Sequence, residues 1–433
     1  MKQIDAWKKL ILAGETDGVL TKLYTAEGIS AEKERYLTAL DRFSEVFGAE
    51  EPVQLFSAPG RTEIGGNHTD HQHGNVLAAS ITTDAIAVAA KREDGTVRLL
   101  SEGYPMIELS LTDLEKVQEE EGKTDALIRG VAAGFVNAGH NAGGFDAYVT
   151  SNVLGGSGLS SSAAFETLIG NILSGFYNDM AVDAVEIAKI GQYAENVYFG
   201  KPCGLMDQMA CSVGALCQID FRNPADPQVR RVDFDPRDAG YLLCITDTKG
   251  SHADLTPDYA AVPAEMKAAA AVFGKTVLRD VPKEELLAGI NRIREACGDR
   301  AVLRAIHFVE ENERAVAEAD ALSNGDFAAF LQIFRASAKS SFCYLQNVYT
   351  NSDVAHQNVS IGLAVSEMVL GEDGAARVHG GGFAGTIQAF VKTEALERYK
   401  EAMDALFGEG SCRVMGIRPC GGVCIESEMS HDF

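Results

Sequence analysis

Gly155-Gly156-Ser157-Gly158-Leu159-Ser160-Ser161-Ser162-Ala163-Ala164 is the stretch on which the reading of this 433-residue chain turns. Just before it, Phe145, Ala147 and Val149 alternate with smaller or polar residues, as in a half-buried strand. Just after it, Phe165, Leu168, Ile169, Ile172, Leu173 and Phe176 recur at helical spacing. A strand, a glycine-rich loop and a helix therefore follow one another. Glycines let a backbone approach a ligand closely, and the first turn of a helix points free N–H groups at an anion. Gly156, Ser157, Gly158, Leu159, Ser160, Ser161 and Ser162 thus have the build of a phosphate cradle. The three serines add hydroxyls that bond phosphate oxygens or complete a magnesium shell. No Gly-Lys-Ser/Thr follows, so this is not a Walker A loop, and a flexible Gly/Ser turn is the plain alternative.

Downstream, Val185 to Tyr198 reads as a second helix closing at Gly200-Lys201-Pro202, and beyond that turn lies Gly204-Leu205-Met206-Asp207-Gln208. An aspartate in such a place commonly caps a helix or shapes a turn. Glu195, twelve residues upstream on the expected helix, shifts that reading. Two carboxylates in adjoining elements can divide the work of holding a cation and accepting a proton.

Ala58 to Ile81 holds glycines at 60, 65, 66 and 74 among ionisable side chains, then becomes apolar from Val76. This composition predicts a shaped loop entering a buried element rather than a core strand. Arg61, His68, Asp70, His71 and His73 concentrate donors and acceptors there, as a polyhydroxylated ligand requires. The histidine spacing matches neither HExxH nor a zinc finger, so these side chains read as hydrogen-bonding or surface groups.

The rest of the chain frames these segments. Tyr36, Leu37, Leu40, Phe43 and Phe47 mark an amphipathic helix over 32–47. Leu242 to Ile245 reads as a buried strand, helical patterns dominate from Ala264 to Leu370, and a glycine triplet at 380–382 precedes a strand over 386–392. The length exceeds what one core usually supports, which predicts two packed domains meeting near 220–240. A formal charge of −24 argues against a surface built for nucleic acid or anionic lipid. Nine cysteines without a C-x-x-C pair read as reduced thiols, and neither a signal-type core nor a membrane-spanning run is found. The expectation is a soluble cytoplasmic protein.

Taken together, four segments resemble the signatures of the GHMP kinase superfamily, and of its galactokinase family in particular. Ala-Pro-Gly-Arg at 58–61 with His68-Thr69-Asp70 and Gly74 is similar to the galactokinase sugar signature, and Gly158 to Ala164 to the superfamily's ATP motif. Gly204 to Gln208 resembles the catalytic-aspartate motif, and Gly380-Gly381-Gly382-Phe383-Ala384-Gly385 the third, glycine-rich one. The resemblance implies a two-domain α+β GHMP kinase fold, with the active site in the cleft between a 1–235 half and a 236–433 half. It also implies a cytoplasmic ATP- and Mg2+-dependent sugar 1-kinase that takes small molecules and neither nucleic acid nor membrane.

Carried over position by position, the resemblance makes Asp207 the acceptor of the C1 hydroxyl proton and Arg61 the cation beside it. Asn67, His68, Asp70, Gly204 and Tyr259 become sugar contacts, and Glu195 with one of Ser160, Ser161 or Ser162 becomes the magnesium set. The chain departs from the family at several places. The family usually has asparagine where Glu63 stands, isoleucine at Gly65, glutamate at Asn67, tyrosine at His71 and proline at Leu154. The family's glutamate at position 67 accepts from the C6 hydroxyl, whereas an amide both donates and accepts. A galacturonate kinase and a non-catalytic sugar and ATP sensor are therefore the rival readings. Residues 1–30, with the sole tryptophan Trp7, receive no functional reading.

Overall fold

A computed structural model describes residues 1–25, 28–153, 158–251 and 255–429. Among them the strands form two sheets. The larger is built on two long antiparallel strands, β1 (Gln54–Gly65) and β2 (Asn75–Lys91), joined by the loop 66–74. β3 (Thr96–Ser101), β4 (Ile107–Ser110) and β5 (Phe145–Ser151) extend it on one side, with β3 and β5 parallel. β6 (Leu216–Asp220) and β7 (Gln228–Val232) are added where β2 parts from β5.

The sequence predicted a loop from Ala58, but residues 58–65 belong to β1. The pairing with β2 shifts register between Pro59 and Arg61 and again between Glu63 and Gly65. Bulges of this kind accept glycine and proline inside a strand and re-aim the side chains around them. Both faces of the sheet are covered, so apolar residues run unbroken over 76–79 and 85–90 of β2 instead of alternating. Ala85, Ala87 and Ala89 pack under the helices Thr124–Asn137, Ser161–Tyr177 and Ala184–Tyr193, while Ile86, Val88 and Ala90 pack under the N-terminal helices. Trp7 belongs to that second layer, fully buried, with Nε1 donating to Val53 O at 3.1 Å.

The chain crosses to the second sheet between Val232 and Tyr241. This sheet has the order β11 (Cys412–Met415), β8 (Tyr241–Asp247), β10 (Thr386–Lys392), β9 (Gly374–Val378). Phe330, Phe334 and Phe390 of this half share one apolar cluster with Ile64, Leu77 and Ala163 of the first. The C-terminus then returns: β12 (Val423–Cys424) pairs with β1, so the two halves are not strictly contiguous in sequence. No described helix is long and apolar enough to cross a membrane.

Candidate active site

Three elements converge on Arg61. β1 carries it through the first bulge, with its backbone N–H donating to Leu159 O at 3.1 Å. Its guanidinium donates from Nε to Asp207 Oδ1 at 2.7 Å and from Nη2 to Asp207 Oδ2 at 2.8 Å, while Nη1 is bonded to Gly158 O. Asp207 lies in the first turn of the helix Met206–Val213, where the helix dipole favours a negative charge. Ser160 Oγ donates to the same carboxylate. Burial by itself pushes this carboxyl up, but the charge and hydrogen bonds of Arg61, together with Ser160, hold it below the usual carboxylate range. With 32% of its side chain still exposed, the ionised group can meet a substrate.

Gly158 is required in the glycine/serine loop. Its φ is +72°, and an added methyl would lie 2.9 Å from Thr386 Oγ1 at the start of β10. Thr386 also bonds His379 Nδ1 at 2.8 Å, and His379 Nε2 meets Thr62 Oγ1 at 3.0 Å. Burial, with Arg61 and Arg377 nearby, lowers the His379 pKa to about 3, so it stays neutral behind the reactive pair. Ser160, also at positive φ, immediately precedes the helix Ser161–Tyr177, whose first N–H groups are available to an anion. Gly156 and Ser157, expected in the same cradle, lie outside the described residues, as does Leu154.

Glu195 sits two residues past the helix Ala184–Tyr193, where the chain winds as a π-helical turn over Ala194–Phe199 before Gly200 ends it at φ +83°. Such π turns recur at functional sites because they re-aim one side chain. Glu195 Oε1 accepts from Ser162 Oγ at 3.2 Å and from Lys201 Nζ at 2.9 Å, and Oε2 accepts from Gln208 Nε2 at 2.9 Å. The serines thus divide. Ser162 faces Glu195, Ser160 faces Asp207, and Ser161 begins the helix between them. Among the described residues no three His, Cys, Asp or Glu converge as a self-sufficient metal cage. One buried carboxylate with a hydroxyl suits magnesium, which keeps most of its shell for water and phosphate oxygens.

Sequence reasoning missed Glu166, one turn along the helix from Ser162. It is 1% exposed and accepts from Gln208 Nε2 at 3.0 Å, and burial, then Glu195, push its pKa well above the usual carboxylate range. The four-residue spacing from Ser162 was the available signal.

The expected sugar contacts surround the glycine triplet. His68 Nε2 meets Gly381 O at 3.1 Å and Tyr259 Oη donates to Gly382 O at 2.7 Å. Burial and His71 lower the His68 pKa to about 4, so the ring donates as a neutral imidazole. Gly204 lies against the Asp70 carboxylate, whose Oδ2 fills the space a side chain at 204 would need. Asn67 differs from these: it is fully buried, and its amide is hydrogen-bonded by protein groups on every side. An expectation that it would face the sugar meets a side chain already spent within the fold. His252, placed near Tyr259 in the sequence pattern, lies outside the described residues.

This fold, with an aspartate, an arginine and a serine loop at the junction of two sheets, defines a GHMP kinase. Residues 41–91 match the galactokinase galactose-binding signature and residues 126–215 the GHMP kinases N terminal domain. The galactokinase of Streptomyces coelicolor is 31% identical over 396 residues, covering 89% of this chain and 97% of that protein. The Glaesserella parasuis galactokinase is 30% identical over 403 residues, covering 89% and 96%. The structure of Lactococcus lactis galactokinase complexed with galactose superposes with a TM-score of 0.76 at 27% identity, over 90% of this chain and 99% of that one. A mevalonate kinase structure shares the fold at 14% identity, TM-score 0.60, over 85% and 99%. The chain belongs to the galactokinase family.

Proposed function

We propose that this chain transfers the γ-phosphoryl group of ATP to the C1 hydroxyl of galactose by direct displacement, with Asp207 receiving the hydroxyl proton. The observation that carries this reading is the two-pronged Arg61–Asp207 pair with Ser160 on the same carboxylate. A carboxylate held below its usual range is a modest base, and phosphoryl transfer asks for little more. Its transition state is loose, so catalysis rests on positioning and charge screening. Asp207 orients the hydroxyl and takes its proton as the O–P bond forms. Arg61 keeps Asp207 ionised and screens charge on the phosphoryl oxygens.

Ser162 and Glu195 are the groups that would hold Mg2+, which when bound neutralises the β- and γ-phosphate oxygens. The loop 158–160 and the N-terminus of the helix Ser161–Tyr177 would carry the phosphates. His68, Asp70, Gly204 and Tyr259 would line the sugar side. Because the Asn67 amide is taken up by protein groups, its presence gives no ground for preferring a sugar with a C6 carboxylate. The intact Asp207, Arg61 and serine loop favour an enzyme over a silent sensor. Nine free thiols and an intracellular cosubstrate favour the cytoplasm.

The test is ADP release against galactose, galacturonate, glucose, arabinose and galactosamine, with NMR assignment of the phosphorylated carbon. Galactose should be preferred and its C1 phosphorylated. ADP release with none of them, or phosphorylation elsewhere on the ring, would contradict the reading.

A further inference from the structure

Glu63 and Asn67, four residues apart in the sugar-signature segment, answer one another in space. Glu63 Oε1 accepts from Asn67 Nδ2 at 2.9 Å and is ion-paired with Arg377 of β9. Arg377 is fully buried and also donates to Ile64 O at 2.9 Å and Ser337 Oγ at 3.1 Å. The other hydrogen of Asn67 Nδ2 goes to Gly380 O at 2.9 Å. Its Oδ1 accepts from Ser341 Oγ at 3.1 Å and Asn347 Nδ2 at 2.9 Å. Both donors and both acceptor sites of the amide are therefore filled. At Gly65, the space that an isoleucine would take is occupied by the Glu318 carboxyl.

The glycine triplet is held carbonyl by carbonyl. Gly380 O receives Asn67, Gly381 O receives His68 and, at 3.3 Å, Asn347, and Gly382 O receives Tyr259. Position 63 thus supplies a carboxylate and position 67 an amide to one buried network. A carboxylate has no hydrogen to give, so only an amide at 67 can join Glu63 to Gly380 O. Glu63 thus pairs with Arg377, and Asn67 is left to bond the glycine loop.

We propose that Glu63 and Asn67 are a coupled positioning pair that clamps the loop 380–382 onto the sugar-signature loop, so that Asn67 serves the loop and does not touch the sugar. Its effect on the reaction is exerted through His68 and Asp70, and in that respect it rests on the galactokinase reading.

The test compares wild type with Asn67→Ser, Glu63→Met and the double variant, using galactose and 6-deoxygalactose. Glu63→Met, similar in length but without an acceptor for Asn67, leaves the side chain at 67 in place and so guards against a folding failure there. Each single change should raise KM for galactose about tenfold, the scale of a lost buried hydrogen bond, and leave KM for ATP unchanged. The fold-loss should be equal for the two sugars, and the double variant should be no worse than the poorer single one. Hydrogen exchange of the peptide spanning 379–385, without substrate, should speed up in both single variants. A loss confined to the sugar bearing a C6 hydroxyl, losses that multiply, or unchanged exchange would each overturn the proposal. Wild type that releases no ADP with galactose would overturn the kinase reading instead, and the exchange data would still judge the clamp.

Discussion

Arg61 holds Asp207 by two parallel hydrogen bonds, Nε to Oδ1 at 2.7 Å and Nη2 to Oδ2 at 2.8 Å, and reaches the Gly158 carbonyl with its remaining nitrogen. One side chain therefore ties the proton acceptor to the phosphate loop. It also sets the acceptor's acidity, since burial alone would raise the Asp207 pKa.

Arg61→Ala should for that reason do more than slow the reaction. With the guanidinium gone, burial dominates and Asp207 takes up a proton at higher pH. The rate should fall, and the acid limb of kcat should move toward neutrality. A pH–rate profile reads this directly. An acid limb that stays where the wild type has it would show that Arg61 does not tune Asp207.

The division of the serines predicts different phenotypes for neighbouring residues. Glu195→Gln and Ser162→Ala should raise the magnesium concentration needed for half-maximal rate, and should weaken Mn2+ binding to the ATP complex measured by electron paramagnetic resonance. Ser160→Ala should leave both unchanged and lower kcat through Asp207. A normal metal titration in Ser162→Ala would remove that hydroxyl from the metal site.

Gly158→Ala places a side chain at φ +72°, where L-residues pay roughly 1–2 kcal/mol, and 2.9 Å from Thr386 Oγ1. The loop must shift away from β10. KM for ATP should rise about tenfold, with KM for galactose little changed. An equal rise for both substrates would mean that the loop serves the whole cleft rather than the phosphates.

Glu318 offers a test of stability. It is fully buried beside Gly65, neither carboxyl oxygen has a hydrogen-bond partner among the described residues, and burial followed by Glu311 pushes its pKa well above normal. The folded state keeps the proton while the unfolded chain loses it near pH 4.3. Each further pH unit therefore favours unfolding by about 1.4 kcal/mol until the folded pKa is reached. Glu318→Gln does not titrate, so its stability relative to wild type should grow as pH rises above the unfolded carboxylate's pKa. Denaturation curves for the two proteins that keep a constant offset across this range would contradict a protonated Glu318.

What the sequence made legible was local. The strand, glycine/serine loop and helix could be read because glycine spacing and apolar period are properties of neighbours, and Asp207 and Glu195 followed from adjoining segments. Residues 58–65 were read as loop because glycine and proline at two bulges disguised β1. The π-helical turn that aims Glu195 left no mark, since its composition is that of an ordinary helix. The state of Asn67 could not be read at all. The partners of its amide are Glu63, Ser341, Asn347 and Gly380, three of them far along the chain and brought in only by tertiary packing.

The most direct measurement is galactose-dependent ADP release by Asp207→Asn beside wild type, with ATP and galactose binding measured separately by calorimetry. The amide keeps the size and loses the base. The account predicts that the variant still binds both substrates while its turnover falls by the ~10²–10⁴-fold typical of a general base. Turnover within a few-fold of wild type would contradict it, since the proton would then leave the C1 hydroxyl without Asp207.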